Sequence, residues 1–398
     1  MAQHAMAEKG GRKMNILYCI PHLYNAGGME RVLTQKANWL VQHTDYSITI
    51  LTTERVPEGI APVYFPLDKR VKTDTLIIDF DADYHKPLLS KWWGHMHRMR
   101  LYRKALTDYI LREKIDLCIS LCGKEIAFLH RLPCRTMAEV HFSKDHRQQL
   151  LAANHSGWLW KALGIIRTRQ LVRAVRPLQQ LVVLTEADKR DWEAAGCNNI
   201  VCIPNPCALD GKKIPVLSDK SNIVLAVGRL HEQKGFDMLL TAWQVIESLH
   251  PEWSLRIVGE GEQRCSLEKQ IASLGLHQVT LAGQVTDVTE EYASAACFVL
   301  SSRYEGLPLA LIEAMWCGVP SVAFNCPHGP AELLGNDRGW LVTANDTTTL
   351  AKQIEYVMTH REEALASAER AKIFAHDTYA EETIMNQWVQ LINHANNV

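Results

Sequence analysis

The chain contains no run of about 18 apolar residues, so the sequence gives no helix that would cross a membrane. It has no Cys-x-x-Cys: the 11 cysteines are scattered singly, which argues against a zinc site or a disulfide framework. Reduced thiols in a cytoplasmic protein are the expectation. The nearest cysteine pairs, Cys118/Cys122 and Cys202/Cys207, fall in apolar strand-like runs and read as small core residues. The dinucleotide fingerprint G-x-G-x-x-G is missing from the glycine-bearing loop that follows the first strand. The opening MAQHAMAEKGGRK has no apolar core of the kind a secretory leader needs, and Met14 reads as the functional start.

What is present is ordinary for a globular enzyme: 47% apolar and 22% charged residues over 398 positions. That length predicts two domains of roughly 200 residues each. The net charge of -1 is unevenly spread. Residues 1–205 hold 29 Lys and Arg against 20 Asp and Glu, and residues 206–398 hold 14 against 24. A basic half joined to an acidic half suggests that one domain faces anionic material. The basic half carries no recognisable nucleic-acid module, so a membrane surface or a phosphate-bearing acceptor is the expected partner, not nucleic acid.

Strand-like runs at Asn15–Ile20, Ser47–Thr52, Thr75–Ile78, Leu117–Leu121, Thr136–Val140 and Leu181–Leu184 alternate with helical stretches. A second series follows at Ile223–Val227, Leu255–Val258, Val279–Ala282, Phe298–Ser301, Ser321–Phe324 and Trp340–Val342. This alternation predicts an α/β chain of two doubly wound parallel sheets facing a cleft. The boundary falls at Ile203-Pro204-Asn205-Pro206 and the polar stretch to Ser221. The domains expected are 14–205, 206–379, and a closing helix in 380–398 that can pack on either. Asp81-Ala82-Asp83 reads as a surface loop and not a metal motif, and His95 and His97 likewise read as surface residues. Lys91–Lys114 and Trp158–Arg176 combine Lys and Arg with Trp, a composition that fits either an anionic lipid surface or core-packed helices with solvated arginines.

Three loops can carry chemistry. After the first strand, Gly27-Gly28 precedes a helix, so the backbone turns tightly where a ligand can come close. After Val227, Arg229 and Lys234 stand five apart, two cations able to clamp a diphosphate at a strand's carboxyl end. After Leu300, Glu305-Gly306-Leu307-Pro308 leads into a helix over Leu309–Trp316, with Pro308 suited to its first turn. Free N–H groups at that N-terminus suit a phosphate, and Glu305 and Glu313 bracket it at a spacing of E-x7-E. Spacing alone equally describes an ordinary βαβ unit with surface glutamates.

The motifs G-R-L-x-x-x-K-G-F-D from Gly228 and S-x-x-E-G-L-P-L-A-L-I-E-A-M-x-C-G-V-P from Ser302 resemble those of the retaining glycosyltransferases of family 4. Asn25–Val32 is similar to that family's N-terminal glycine loop, and Glu139-Val140-His141 to its strand-end histidine segment. Asn325–Glu332 is similar to a segment of enzymes that build bacterial surface polysaccharides, in which threonine is more usual at the place of His328. The resemblance implies a GT-B fold and retaining, metal-independent transfer from a nucleotide sugar, most often a UDP-sugar, with no cofactor. By position it implies that Arg229 and Lys234 bind the diphosphate and that His141 and Glu305 hold the sugar. It further implies that Glu313 takes the ribose, Leu309 and Ala310 offer N–H groups to phosphate, and Gln284 and Val285 meet the base. Gly27 and Gly28 would lie near donor phosphates and acceptor. The acceptor would be a saccharide or lipid-linked molecule reached from the inner face of the cell membrane. Two other readings share the fold: a nucleotide-sugar epimerase or phosphorylase, and a non-catalytic nucleotide-sugar-binding subunit.

Overall fold

The structure, a computed structural model, describes residues 13–78, 80, 88–145, 148, 157–214 and 221–394. The Asp81/Asp83 pair, residues 1–12 and residues 215–220 of the polar stretch before Ser221 lie outside the described residues. No described helix is long and apolar enough to cross a membrane.

The chain divides into two compact units. One comprises Met1–Val140, Arg169–Val182 and Gly196–Val201, and the other His141–Thr168, Val183–Ala195 and Cys202–Val398. The strands of the first sheet are β1 Asn15–Ile20, β2 Ser47–Thr52, β3 Lys72–Thr75, β4 Leu117–Ser120, β5 Arg135–Glu139, β6 Gln180–Val183 and β7 Ile200–Cys202. Its order is β3-β2-β1-β4-β5-β6-β7. Helices α1 Gly28–His43, α2 Leu88–Glu113, α3 Trp158–Val175 and α4 Glu186–Ala194 fall between these strands. β3 corrects the strand expected at Thr75–Ile78. It sits at the sheet edge and pairs with β2 only as far as Thr52↔Thr75, so the more apolar Leu76-Ile77-Ile78 follows the ladder instead of forming it. An edge strand needs only one hydrogen-bonded side and tolerates the polar sequence Lys-Thr-Asp-Thr, which hides it from a hydrophobicity reading.

The second sheet runs β10-β9-β8-β11-β12-β13, from β8 Ile223–Val227, β9 Ser254–Val258, β10 Val279–Gly283, β11 Cys297–Leu300, β12 Ser321–Asn325 and β13 Trp340–Thr343. Its pairings are parallel. Both faces are apolar, because successive side chains of a buried parallel strand point to opposite helical layers. On one face Val224, Ala226, Leu255 and Val322 pack with α5 Phe236–Leu249 and, after α6 Arg264–Leu274, with more distant helices. On the other, Leu225, Phe298 and Ala323 pack with Tyr292 of α7 Thr289–Ser294 and Leu311 and Met315 of α8 Leu309–Trp316. Then follow α9 Pro330–Leu334, α10 Thr347–Thr359, α11 Arg361–Tyr379 and α12 Glu381–His394, which places Ile384, Met385, Trp388 and Ile392 in its buried face. Each large apolar side chain so buried is worth about 1.5–3 kcal/mol.

In both sheets the strand order reverses between the first and fourth strands, β1/β4 and β8/β11. Open parallel sheets bind ligands outside the carboxyl ends of the strands at such a point. The loops after β8 and β11 therefore meet where a ligand is expected.

Candidate active site

In the second unit, the loop after β8 is sewn to the loop after β11. Arg303 N donates to Gln233 O at 2.8 Å, and Gln233 Nε2 donates to Tyr304 O at 2.9 Å. The Arg303 guanidinium reaches both carboxylate oxygens of Asp237 in the first turn of α5, at 2.8 and 2.7 Å. Gly235 turns the chain through the left-handed region at φ 63°, and a Cβ there would fall 2.1 Å from Ser301 O. Only glycine fits at that point.

This seam brings Lys234 and Glu305 together. Lys234 Nζ donates to Glu305 Oε1 at 2.6 Å, and Ser302 Oγ donates to the same oxygen at 2.6 Å. The lysine stem lies along Gly228, where a Cβ would stand 3.1 Å from its Cε. Arg229 is exposed beside them and makes no ion pair with the described residues. Pro308 is the N-cap of α8, not part of its first turn, at φ -75° and ψ 94°. Its carbonyl accepts from Leu311 N and Ile312 N, so the N–H groups of Leu309 and Ala310 open the helix, where no preceding turn supplies acceptors.

Glu305 and Glu313 are not surface glutamates: they are 7% and 3% exposed. A buried carboxylate is costly without partners. Glu305 has Lys234 and Ser302, while Glu313 Oε2 accepts from Tyr292 Oη at 2.9 Å. That hydroxyl lies 3.1 Å from Ala310 O as well, which ties α7 to the first turn of α8. His141 is half-buried, and its carbonyl packs on the turn beside Glu305: a Cβ at Gly306 would lie 2.7 Å from His141 O. Gln284 is exposed and Val285 half-buried at the carboxyl end of β10, two strands from β8, roughly 10 Å across the sheet. Sequence reading missed Ser302, Tyr292 and the Arg303–Asp237 clamp. Ser302 and Arg303 lay inside the motif stretch, but Tyr292 belongs to a helix of its own and carried no local signal.

In the first unit, Gly27 and Gly28 stand at the N-terminus of α1, and that terminus faces an internal anion. A Cβ on Gly27 would lie 2.1 Å from Glu30 Oε2, and Glu30 Oε1 is 3.1 Å from His22 Nδ1. The Glu30 hydrogen bond outweighs partial burial and raises the His22 pKa above its ordinary value. His22 stacks on Tyr24 with ring centroids 4.5 Å apart. Behind this, Lys36 of α1 and Glu139 of β5 form an ion pair that is 1% exposed on each side.

Residues 210–374 match the sequence family described as "Glycosyl transferases group 1". That match takes in Arg229, Lys234, Glu305 and Glu313. An uncharacterized glycosyltransferase of Haemophilus influenzae is 29% identical to this chain over 93% of its length and 98% of the relative's. An alpha-1,4-N-acetyl-D-galactosaminyltransferase of Campylobacter jejuni, whose name gives a diNAcBac-PP-undecaprenol acceptor, is 28% identical over 96% of this chain and 99% of its own. The fold is that of sucrose-phosphate synthase from Thermosynechococcus elongatus, with a TM-score of 0.75 at 18% identity over 97% of this chain and all of that one. Anabaena HepE in complex with UDP has a TM-score of 0.71 at 17% identity over 96% of this chain and all of its own. These are GT-B glycosyltransferases, and the two doubly wound domains described above are that fold.

Proposed function

We propose that this protein is a glycosyltransferase that moves a sugar, with retention of anomeric configuration, from a UDP-sugar to a saccharide on a lipid-linked or other membrane-bound acceptor, in the synthesis of bacterial surface polysaccharide. The observation that carries the reading is the convergence of Arg229, Lys234, Glu305 and the N-terminus of α8 at the switch point of the second sheet. Breaking the bond between sugar and diphosphate leaves negative charge on the departing phosphate. Two cations and the N–H groups of Leu309 and Ala310 are the groups to stabilise it, each contributing about 2.7–4 kcal/mol if it acts only in the transition state.

The Lys234–Glu305 pair is compatible with both roles. An ammonium has three donors, so Lys234 can keep Glu305 and still reach a phosphate oxygen. Glu305 and His141 then orient the sugar as it gains oxocarbenium character, and a diphosphate oxygen takes the acceptor's proton as the new glycosidic bond forms. Glu313, held by Tyr292, is the partner for ribose hydroxyls, and Gln284 and Val285 meet the base. No residue is assigned as a nucleophile, and no metal is required when Arg229 and Lys234 neutralise the diphosphate.

The acceptor side rests on exposed Trp and basic residues. α2 exposes Trp92 and Trp93 with Arg100, Arg103 and Lys104, and α3 exposes Trp158, Leu159 and Trp160 with Arg167, Arg169 and Arg173. Tryptophan among cations suits an anionic membrane surface. A lipid-linked acceptor is also what the Campylobacter relative's name records for that protein.

A thermal-shift panel of nucleotide sugars, followed by mass spectrometry of products with lipid-linked acceptors, tests the reading. Stabilisation by UDP and a product heavier by one sugar are expected. Conversion of the free nucleotide sugar without acceptor would overturn it in favour of an epimerase.

A further inference from the structure

His328 lies outside every role assigned so far, yet its surroundings are built. It adopts φ 64°, a left-handed conformation that costs energy for a residue with a Cβ and persists where its neighbours enforce it. Its Nε2 lies 3.1 Å from Asp191 Oδ2 and 3.6 Å from Asp188 Oδ1. Asp188 is 4% exposed. Its Oδ1 accepts from the backbone N–H of Lys144 at 3.2 Å, and its Oδ2 accepts from Trp192 Nε1 at 3.2 Å. Burial pushes the Asp188 carboxyl up to about 6 against the opposing pull of the Lys144 N–H and His328. Thr185 caps α4 by accepting from Asp188 N at 3.1 Å, which fixes the carboxylate's position.

Both ends of this chain of contacts lead to the proposed active site. On one side, His328 is followed by Gly329, which packs so tightly on the turn before α8 that a Cβ would lie 2.5 Å from Pro308 Cδ and 3.1 Å from Gly306 O. On the other, Lys144 is three residues from His141, whose carbonyl rests on Gly306. The contacts therefore close a ring: His141, Lys144, Asp188, His328, Gly329, Gly306 and back to His141. Glu305 is joined to that ring through Gly306.

We infer that His328 and Asp188 are positioning residues of the transfer reaction: their contact clamps segment 141–145 against the turn that carries Glu305, and so sets His141 relative to the sugar. The inference rests on the reading of His141 and Glu305 as sugar-holding residues. Among the described residues, the side-chain contacts of His328 and Asp188 are with Asp191, Lys144 and Trp192 and not with Arg229, Lys234 or Glu313, so the affinity for the nucleotide is set elsewhere. Loss of the clamp lowers turnover and leaves UDP binding in place. The charged groups facing His328 and Asp188 are Asp191 on α4 and Lys144 on the clamped segment, where Lys144 Nζ is held by Asp145 at 3.1 Å.

The test uses the full chain with His328→Asn, Asp188→Asn and the two combined. Asparagine tolerates the left-handed backbone at 328 but is too short to reach Asp191. UDP affinity by calorimetry, kcat and KM for the donor, melting temperature, and amide exchange of residues 141–145 are measured together. Expected are a kcat at least tenfold lower in each single variant and no further loss in the double. UDP affinity stays within twofold, and exchange at Lys144 is at least tenfold faster. A third variant, Asp191→Asn, removes only the half-exposed partner and loses a smaller part of kcat. Unchanged kcat with a lost exchange barrier would overturn the positioning role. Loss of UDP affinity and melting temperature in step with kcat would also overturn it, as the mark of a merely structural cluster. Failure of the wild-type chain to bind UDP would instead sink the donor reading beneath it.

Discussion

The ammonium of Lys234 and the carboxylate of Glu305 are 2.6 Å apart, although 71 residues separate them in the chain. One stands in the loop after β8 and the other in the loop after β11, so the pair spans the switch point of the sheet. Because Glu305 is 7% exposed, removing either charge strands the other in a poorly solvated place. Lys234→Ala is expected to lower kcat by about two to three orders of magnitude, the usual loss for one preorganised donor at a developing charge. Glu305→Gln combined with Lys234→Ala is expected to cost less than the sum of the two single changes, because the residues act as one unit. Steady-state kinetics on variants with unchanged circular dichroism check this. A folded Lys234→Ala enzyme of near wild-type turnover would remove Lys234 from the mechanism.

Tyr292→Phe leaves the Glu313 carboxylate without the phenol that donates to it at 2.9 Å. An under-satisfied buried polar group costs about 1–3 kcal/mol. A fall of that size in urea unfolding free energy is expected. If Glu313 binds the ribose, the donor KM rises while kcat changes little. A rise in KM for the acceptor alone would contradict the ribose assignment.

Lys36 and Glu139 are each 1% exposed. Burial lowers the Lys36 pKa in spite of the attraction of Glu139, a sign that desolvation outweighs the pair's own gain. Lys36→Met, which leaves the buried Glu139 carboxylate without its cation, is expected to destabilise the chain by about 3–5 kcal/mol. Adding Glu139→Leu should recover most of that, since an apolar pair of similar volume fills the site without charges to desolvate. Chemical denaturation of the single and double variants measures the difference, and a double variant no more stable than the single would refute the argument.

Acid sensitivity should depend on Asp237. Burial raises its carboxyl, but the hydrogen bonds and charge of Arg303, with the backbone N–H groups of Asp237 and Met238, together outweigh burial and hold it below the ordinary value of 3.8. A depressed folded-state value stabilises the protein above the unfolded-state pKa, and that stability is lost as pH falls through the folded-state one. Asp237→Asn is therefore expected to be less stable than wild type near neutrality and to lose the part of the acid-side slope that this carboxyl supplies. Urea midpoints recorded between neutrality and acid pH give the answer. Parallel curves for the two proteins would exclude Asp237 as a contributor.

Much of this protein is local enough to be read along the chain. The strands β1, β2 and β8 fall on the residues the apolar pattern indicates, because burial on both faces of a parallel sheet writes a continuous apolar run, and α8 falls on the helix expected after Pro308. The glycine, arginine, lysine and glutamate motifs are equally local, since each lies in one loop at a strand's carboxyl end. β3 was displaced because an edge strand needs no apolar run. His328 shows the other limit. Nothing in Asn325–Glu332 announces that its imidazole meets Asp188 and Asp191, more than 130 positions earlier, and nothing near His141 announces that Lys144 donates to the same carboxylate. By itself the sequence determined two doubly wound sheets, their strand runs and the residue types in the donor loops, all set by short-range periodicity and backbone chemistry. Tertiary structure alone decided that Glu305 and Glu313 are buried, which partners hold them, and that His328 is tied to the segment bearing His141. Charge pairing across distant segments follows from where strand order reverses, and that is a property of the folded sheet.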